Sequence, residues 1–151
     1  MSLELPAESF IAIAAVGWAD GWMRKAEAEG LMRAAQACGV EGEALSRVEE
    51  AVKSGSKIAD VDVSAMSGWQ RALTYSIACW LARLDGVVNS EELAHLKELG
   101  GVLDLPQPKL DAAGSAAFDI AMLPGGHRPE KFDFDALAER LKVKLPSLVG
   151  S

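Results

Sequence analysis

The sequence has little of what usually announces a function. Cys38 and Cys79 are its only cysteines, too few for a structural zinc site on their own or for a disulfide framework. Both lie in apolar, helix-like segments, where a cysteine reads as a small buried hydrophobe. The two histidines, His95 and His127, stand in unrelated contexts. No apolar run reaches the ~18–20 residues that cross a bilayer, so no integral membrane segment is expected. The first residues lack the basic start of a signal peptide, which makes a cytoplasmic location the expectation. Basic residues are outnumbered, 15 Lys and Arg against 22 Asp and Glu, for a formal charge of −7. The acids divide eleven and eleven about residue 75, so neither half is a tail of one sign. Nothing gathers the Lys and Arg needed to neutralise a phosphate backbone, which argues against nucleic acid as a partner. Gly100-Gly101 and Gly125-Gly126 lack the strand–loop–helix frame of a phosphate-binding loop. No Ser-His-Asp or Cys-His arrangement has a recognisable context, so a binding module rather than an enzyme is expected.

What is present is helix. The 151 residues are half hydrophobic, apolar positions recur at three and four, and β-branched runs are absent. One domain over residues 1–151 suits this length. The pattern predicts seven helices, near residues 6–19, 24–38, 41–53, 67–84, 90–103, 108–122 and 135–142, in a compact all-α bundle. Gly39 and Gly55 are natural stops. The Gly100-Gly101 pair should bend or shorten the fifth helix, since each Gly costs roughly 1 kcal/mol against Ala in a helix. The stretch with Ile58, Val61 and Val63 could hold a short extended piece. Trp18, Trp69 and Trp80 fall on apolar stripes and read as core, whereas Trp22 comes after a turn and is a candidate partner anchor.

Two helices end at Asp-Gly. Asp85 lies 65 residues after Asp20, and at that offset Gly21/Gly86 and Glu27/Glu92 are also identical. The two halves, roughly 6–55 and 67–122, therefore read as an internal pseudo-twofold repeat: a buried helix, Asp-Gly, a short turn, and a helix with Glu in its first turn. Asp-Gly with a Glu seven residues after the Asp is the second half of an EF-hand loop. The first half is missing, because its ligand positions are Val16 and Trp18 in one copy and Leu81 and Arg83 in the other. Neither copy alone could hold calcium; together Asp20, Glu27, Asp85 and Glu92 could converge. Four such carboxylates would repel unless protonated or bridged by a cation. Both Asp residues stand at helix C-termini, where the dipole disfavours an anion by about 0.3–1 kcal/mol.

The plainer alternative is turn and cap chemistry. Asp-Gly makes good turns, and Asn89-Ser90-Glu91-Glu92 resembles a capping box. That account covers Glu92 but not Glu27, whose matching cap position is Arg24. Glu91 and His95 flank Glu92 as possible outer contacts; Glu-x-x-His is also half of a di-iron bundle motif, which would need a second such pair and two further Glu.

The two joints, Ala19-Asp20-Gly21…Glu27 and Leu84-Asp85-Gly86-Val87-Val88-Asn89-Ser90-Glu91-Glu92, resemble the tellurite-resistance TerB family, whose domain is also found at the N-terminus of DjlA-type membrane co-chaperones. The resemblance spans roughly residues 6–145; the first copy departs at Trp22, Met23, Arg24 and Lys25. It implies a non-enzymatic, all-helical module of tellurite and stress-resistance systems with an acidic metal site at Asp20, Glu27, Asp85 and Glu92. Tellurite is an oxyanion that such a cluster would repel. A divalent cation is the expected ligand, calcium first, because carboxylates are hard oxygen donors. The competing expectation is a co-chaperone-like scaffold whose acidic face docks a protein partner without metal.

Overall fold

A computed structural model of the chain describes residues 3–19, 21, 23–84, 90–126 and 128–149. Among these the regular structure is helical, with no strand: α1 (Ala7–Gly17), α2 (Lys25–Ala37), α3 (Gly42–Ser54), α4 (Gly68–Ala82), α5 (Ser90–Leu103), α6 (Gln107–Ala121) and α7 (Phe134–Lys144). Single 3-10 turns occupy Ile58–Asp60 and Pro146–Leu148.

α1 and α4 form the centre. α1 reads Ala-Glu-Ser-Phe-Ile-Ala-Ile-Ala-Ala-Val-Gly, apolar on nearly every side, and all but Glu8 and Ile11 are buried. A helix apolar all round has to be enclosed by others. α1 packs against α2, α3, α4 and α5, while α4 packs against α1, α2, α5 and α6, and α7 closes the bundle against α6. Ser67 starts α4 with a capping box: its hydroxyl accepts from the Gln70 N–H at 3.1 Å, and Gln70 Oε1 accepts from the Ser67 N–H at 3.0 Å.

Trp80 shows how the second half is locked. It is 1 % exposed, stacks on Phe132 at 4.1 Å between centroids and meets Phe134 edge-on at 5.4 Å. Its indole N–H donates to the Gly126 carbonyl at 2.9 Å. Arg33, from α2, holds the same connection, donating through Nη1 to the carbonyls of Pro129 and Phe132 at 3.0 and 2.6 Å.

Three expectations change. α5 runs unbroken through Gly100 and Gly101. Gly100 is required by proximity, since a Cβ there would meet Leu110 Cδ1 at 2.9 Å and Tyr75 Cε1 at 3.5 Å. The stretch after Gly55 holds no strand but the 3-10 turn. Arg71 pins the connection from that turn to α4 against the end of α5: its guanidinium donates to the carbonyls of Val63, Met66 and Leu103 at 3.0, 3.0 and 2.8 Å. Trp18 is only half-buried, covering Gly55 and donating to the Val52 carbonyl at 2.9 Å. Trp69 and Trp80 are core, and both cysteines are buried thiols.

Candidate functional site

The two joints keep their correspondence in the helix ends. α1 closes at Gly17 and α4 at Ala82, and α2 opens at Lys25 and α5 at Ser90, the same 65-residue spacing in both cases. Glu27 and Glu92 are therefore each the third residue of a helix. Both are enclosed, at 2 % and 1 % exposure, which makes them the only charged side chains among the buried residues described. A buried carboxylate requires a cation or several hydrogen bonds.

The cation in place is Arg24. Its Nη1 lies 3.5 Å from Glu27 Oε1 and 3.9 Å from Glu92 Oε1, so one guanidinium nitrogen faces carboxylates from both joints. Its side chain is 30 % exposed, so it reaches them from the surface. The Arg24 backbone N–H also donates to Glu27 Oε1 at 3.4 Å. Glu27 thus does have a capping role after all: the glutamate half of a capping box needs only the backbone N–H of the cap residue. The reciprocal half is absent, since a guanidinium has no acceptor.

Of the four carboxylates expected to converge, the structure brings together Glu27 and Glu92. Asp20 and Asp85 lie outside the described residues, as do Trp22, Asn89 and His127. Glu91 is exposed and accepts from Ser90 Oγ at 3.2 Å. His95 sits one turn beyond Glu92, its Nδ1 3.0 Å from the Glu91 carbonyl, and lines a small cavity with Ser56, Ile58 and Glu98. Among the described residues no three His, Cys, Asp or Glu side chains gather as a metal-binding group. Gly30, the first-half counterpart of His95, lies under the core, where a Cβ would meet Leu84 Cδ1 at 3.0 Å and Trp80 at 3.2 Å.

Arg24 is the site residue that sequence patterning did not find as such. Its signal was a basic residue in the first joint where the second carries Asn89. The thiols offer no second chemistry: burial pushes both Cys38 and Cys79 up to about 12, which keeps them protonated at neutral pH.

Comparison with known protein families, curated proteins and solved structures finds no match to this chain. Among the described residues no helix is long and apolar enough to cross a membrane.

Proposed function

We propose that this chain is a non-enzymatic, TerB-like helical module that takes a divalent cation where its two Asp-Gly joints meet, in service of a stress-resistance system of the tellurite type. The observation that carries the reading is the convergence of two enclosed carboxylates, one from each joint, on a single positive group. Two hard oxygen donors suit calcium, magnesium or manganese, and Asp20 and Asp85, seven residues before Glu27 and Glu92 in each joint, are the further carboxylates the sequence offers such an ion. Glu27 and Glu92 would hold the ion, and Arg24 would have to withdraw toward solvent, which its surface position allows.

A second reading is favoured by Arg24 itself. A resident guanidinium already offsets part of the charge of both glutamates, so the joint could be purely structural and the module a scaffold that docks a protein partner without metal. Calorimetric titration of chelator-treated protein with calcium, magnesium, manganese and zinc separates the two. Binding that is lost in Glu27→Gln and Glu92→Gln supports the cation site. No binding of any of the four at millimolar concentration overturns it, and a partner captured in a salt-sensitive, chelator-insensitive way supports the scaffold.

A further inference from the structure

A second place in the molecule has the make-up of a ligand site, away from the joints. α5 and α6 both pack on α4 and leave between them a cavity of about 490 Å³, within the range of small-molecule sites. Its floor is Tyr75 and Cys79, one turn apart on α4, with Arg83 one residue past the helix end at the rim. Glycine keeps it open from both walls. Gly100 and Gly114 line it without side chains, and at Gly114 a Cβ would reach Cys79 Sγ at 3.7 Å.

The lining is apolar with a cationic mouth. Leu96 and Leu110 are buried in its walls, while Leu93 and Phe118 remain 54 % and 50 % exposed at its edge. Arg83 and Lys97 also line it. Neither forms an ion pair among the described residues, although the protein as a whole has an excess of acid. Arg83 instead lies over the Phe118 ring, 6.0 Å from its centroid. The one acid in the lining, Asp111, accepts from Gln107 Nε2 at 2.8 Å and keeps its charge, so the lining carries two cations against one anion. Two cations without an ion pair among the described residues, beside an apolar slot, are complementary to a molecule with an apolar body and one negative head.

We propose that this cavity is a binding site for a small amphipathic anion, a medium-chain carboxylate or its equivalent, with the chain between Leu96 and Leu110 and the head at Arg83 and Lys97. Burial keeps the Cys79 thiol protonated and holds the Tyr75 hydroxyl well above its usual value, so the floor offers hydrogen bonds and no nucleophile.

The test is calorimetry with sub-micellar decanoate, in chelator so that the joints play no part, with butyrate and decyltrimethylammonium as controls. Decanoate is expected to bind one to one and at least tenfold more tightly than either control. Arg83→Gln/Lys97→Gln should abolish the preference for anion over cation, and Gly114→Leu, which fills the slot, should weaken decanoate at least tenfold. Equal or tighter binding of the cationic amphiphile overturns the proposal, as does unchanged binding to Gly114→Leu. Should that variant fail to fold, amide NMR shifts in the wild-type protein decide: changes at Gly100 and Gly114 uphold the site, and changes confined elsewhere overturn it.

Discussion

Thr74 donates a hydrogen bond to Ser9 at 2.8 Å, inside the core where α1 crosses α4. Both side chains are fully buried, and Thr74 lies 65 residues after Ser9, the spacing that also relates Glu27 to Glu92. Ser9 in turn donates to Met66 Sδ at 3.7 Å, and Thr74 has a second acceptor in the Gln70 carbonyl at 2.7 Å. Because each hydroxyl has an alternative partner, the single changes Ser9→Ala and Thr74→Val should each cost about 1 kcal/mol. The double variant is expected to cost less than their sum, with a coupling of about 0.5–1 kcal/mol in a denaturation cycle. Strict additivity would mean that the two hydroxyls act separately.

Arg24→Gln removes the positive group that Glu27 and Glu92 share. Breaking a buried ion pair from one side commonly costs about 3–5 kcal/mol. Arg24 is partly in water, so about 1–3 kcal/mol is expected here, measured by urea unfolding in chelator. If a divalent cation takes this place, calcium should stabilise the Arg24→Gln protein more than the wild type. Equal or no stabilisation of the two by calcium would favour a purely structural guanidinium.

The adjacent glycines of α5 should behave differently. Gly101 is exposed and a Cβ there meets nothing within 4 Å, so Gly101→Ala is expected to stabilise by about 0.5–1 kcal/mol. Gly100→Ala gains the same helix preference but must displace Leu110. It should be neutral or destabilising, so its thermal midpoint should fall below that of Gly101→Ala and no higher than that of the wild type.

Asp119 accepts from Arg140 at 2.8 Å and lies 3.3 Å from Lys144. The hydrogen bond from Arg140, aided by Lys144, holds its carboxyl below the ordinary value. A depressed folded value means the contribution is present above the unfolded value and lost as pH falls through the folded one. Asp119→Asn should therefore lower stability near neutral pH, by up to ~1 kcal/mol for an exposed pair, and make the acid limb of a melting-temperature profile shallower. An unchanged acid limb would show that the pair contributes nothing.

Both thiols should resist Ellman's reagent in the folded protein and react fully in denaturant, because Cys38 and Cys79 are buried and pushed up to about 12. Rapid reaction of one thiol under native conditions would place it in a segment that opens.

Helix positions were legible in the sequence because their signals are local. Gly39, Gly55 and the three-and-four spacing of α4 each act within a turn or two. Glu27 and Glu92 could be paired by their common offset, and the fold does carry both to one guanidinium. What could not be read was Arg24 as that group, because its role depends on how α2 and α5 sit together. The same holds for Gly100, whose helix-weakening character is overridden by contact with Leu110, and for the slot between α5 and α6. Leu93 and Phe118 border that slot, although each alone reads as an ordinary surface residue.

Trp80 draws a practical consequence from the way α7 is held. Its ring rests on Phe132, its N–H on Gly126, and Arg33 secures the carbonyls beside them. Lifting the start of α7 or the connection before it must therefore change the surroundings of this indole. Its emission, isolated by replacing the other three tryptophans with phenylalanine, becomes an internal gauge of whether the final helix is seated, readable in a stopped-flow cuvette without any added label.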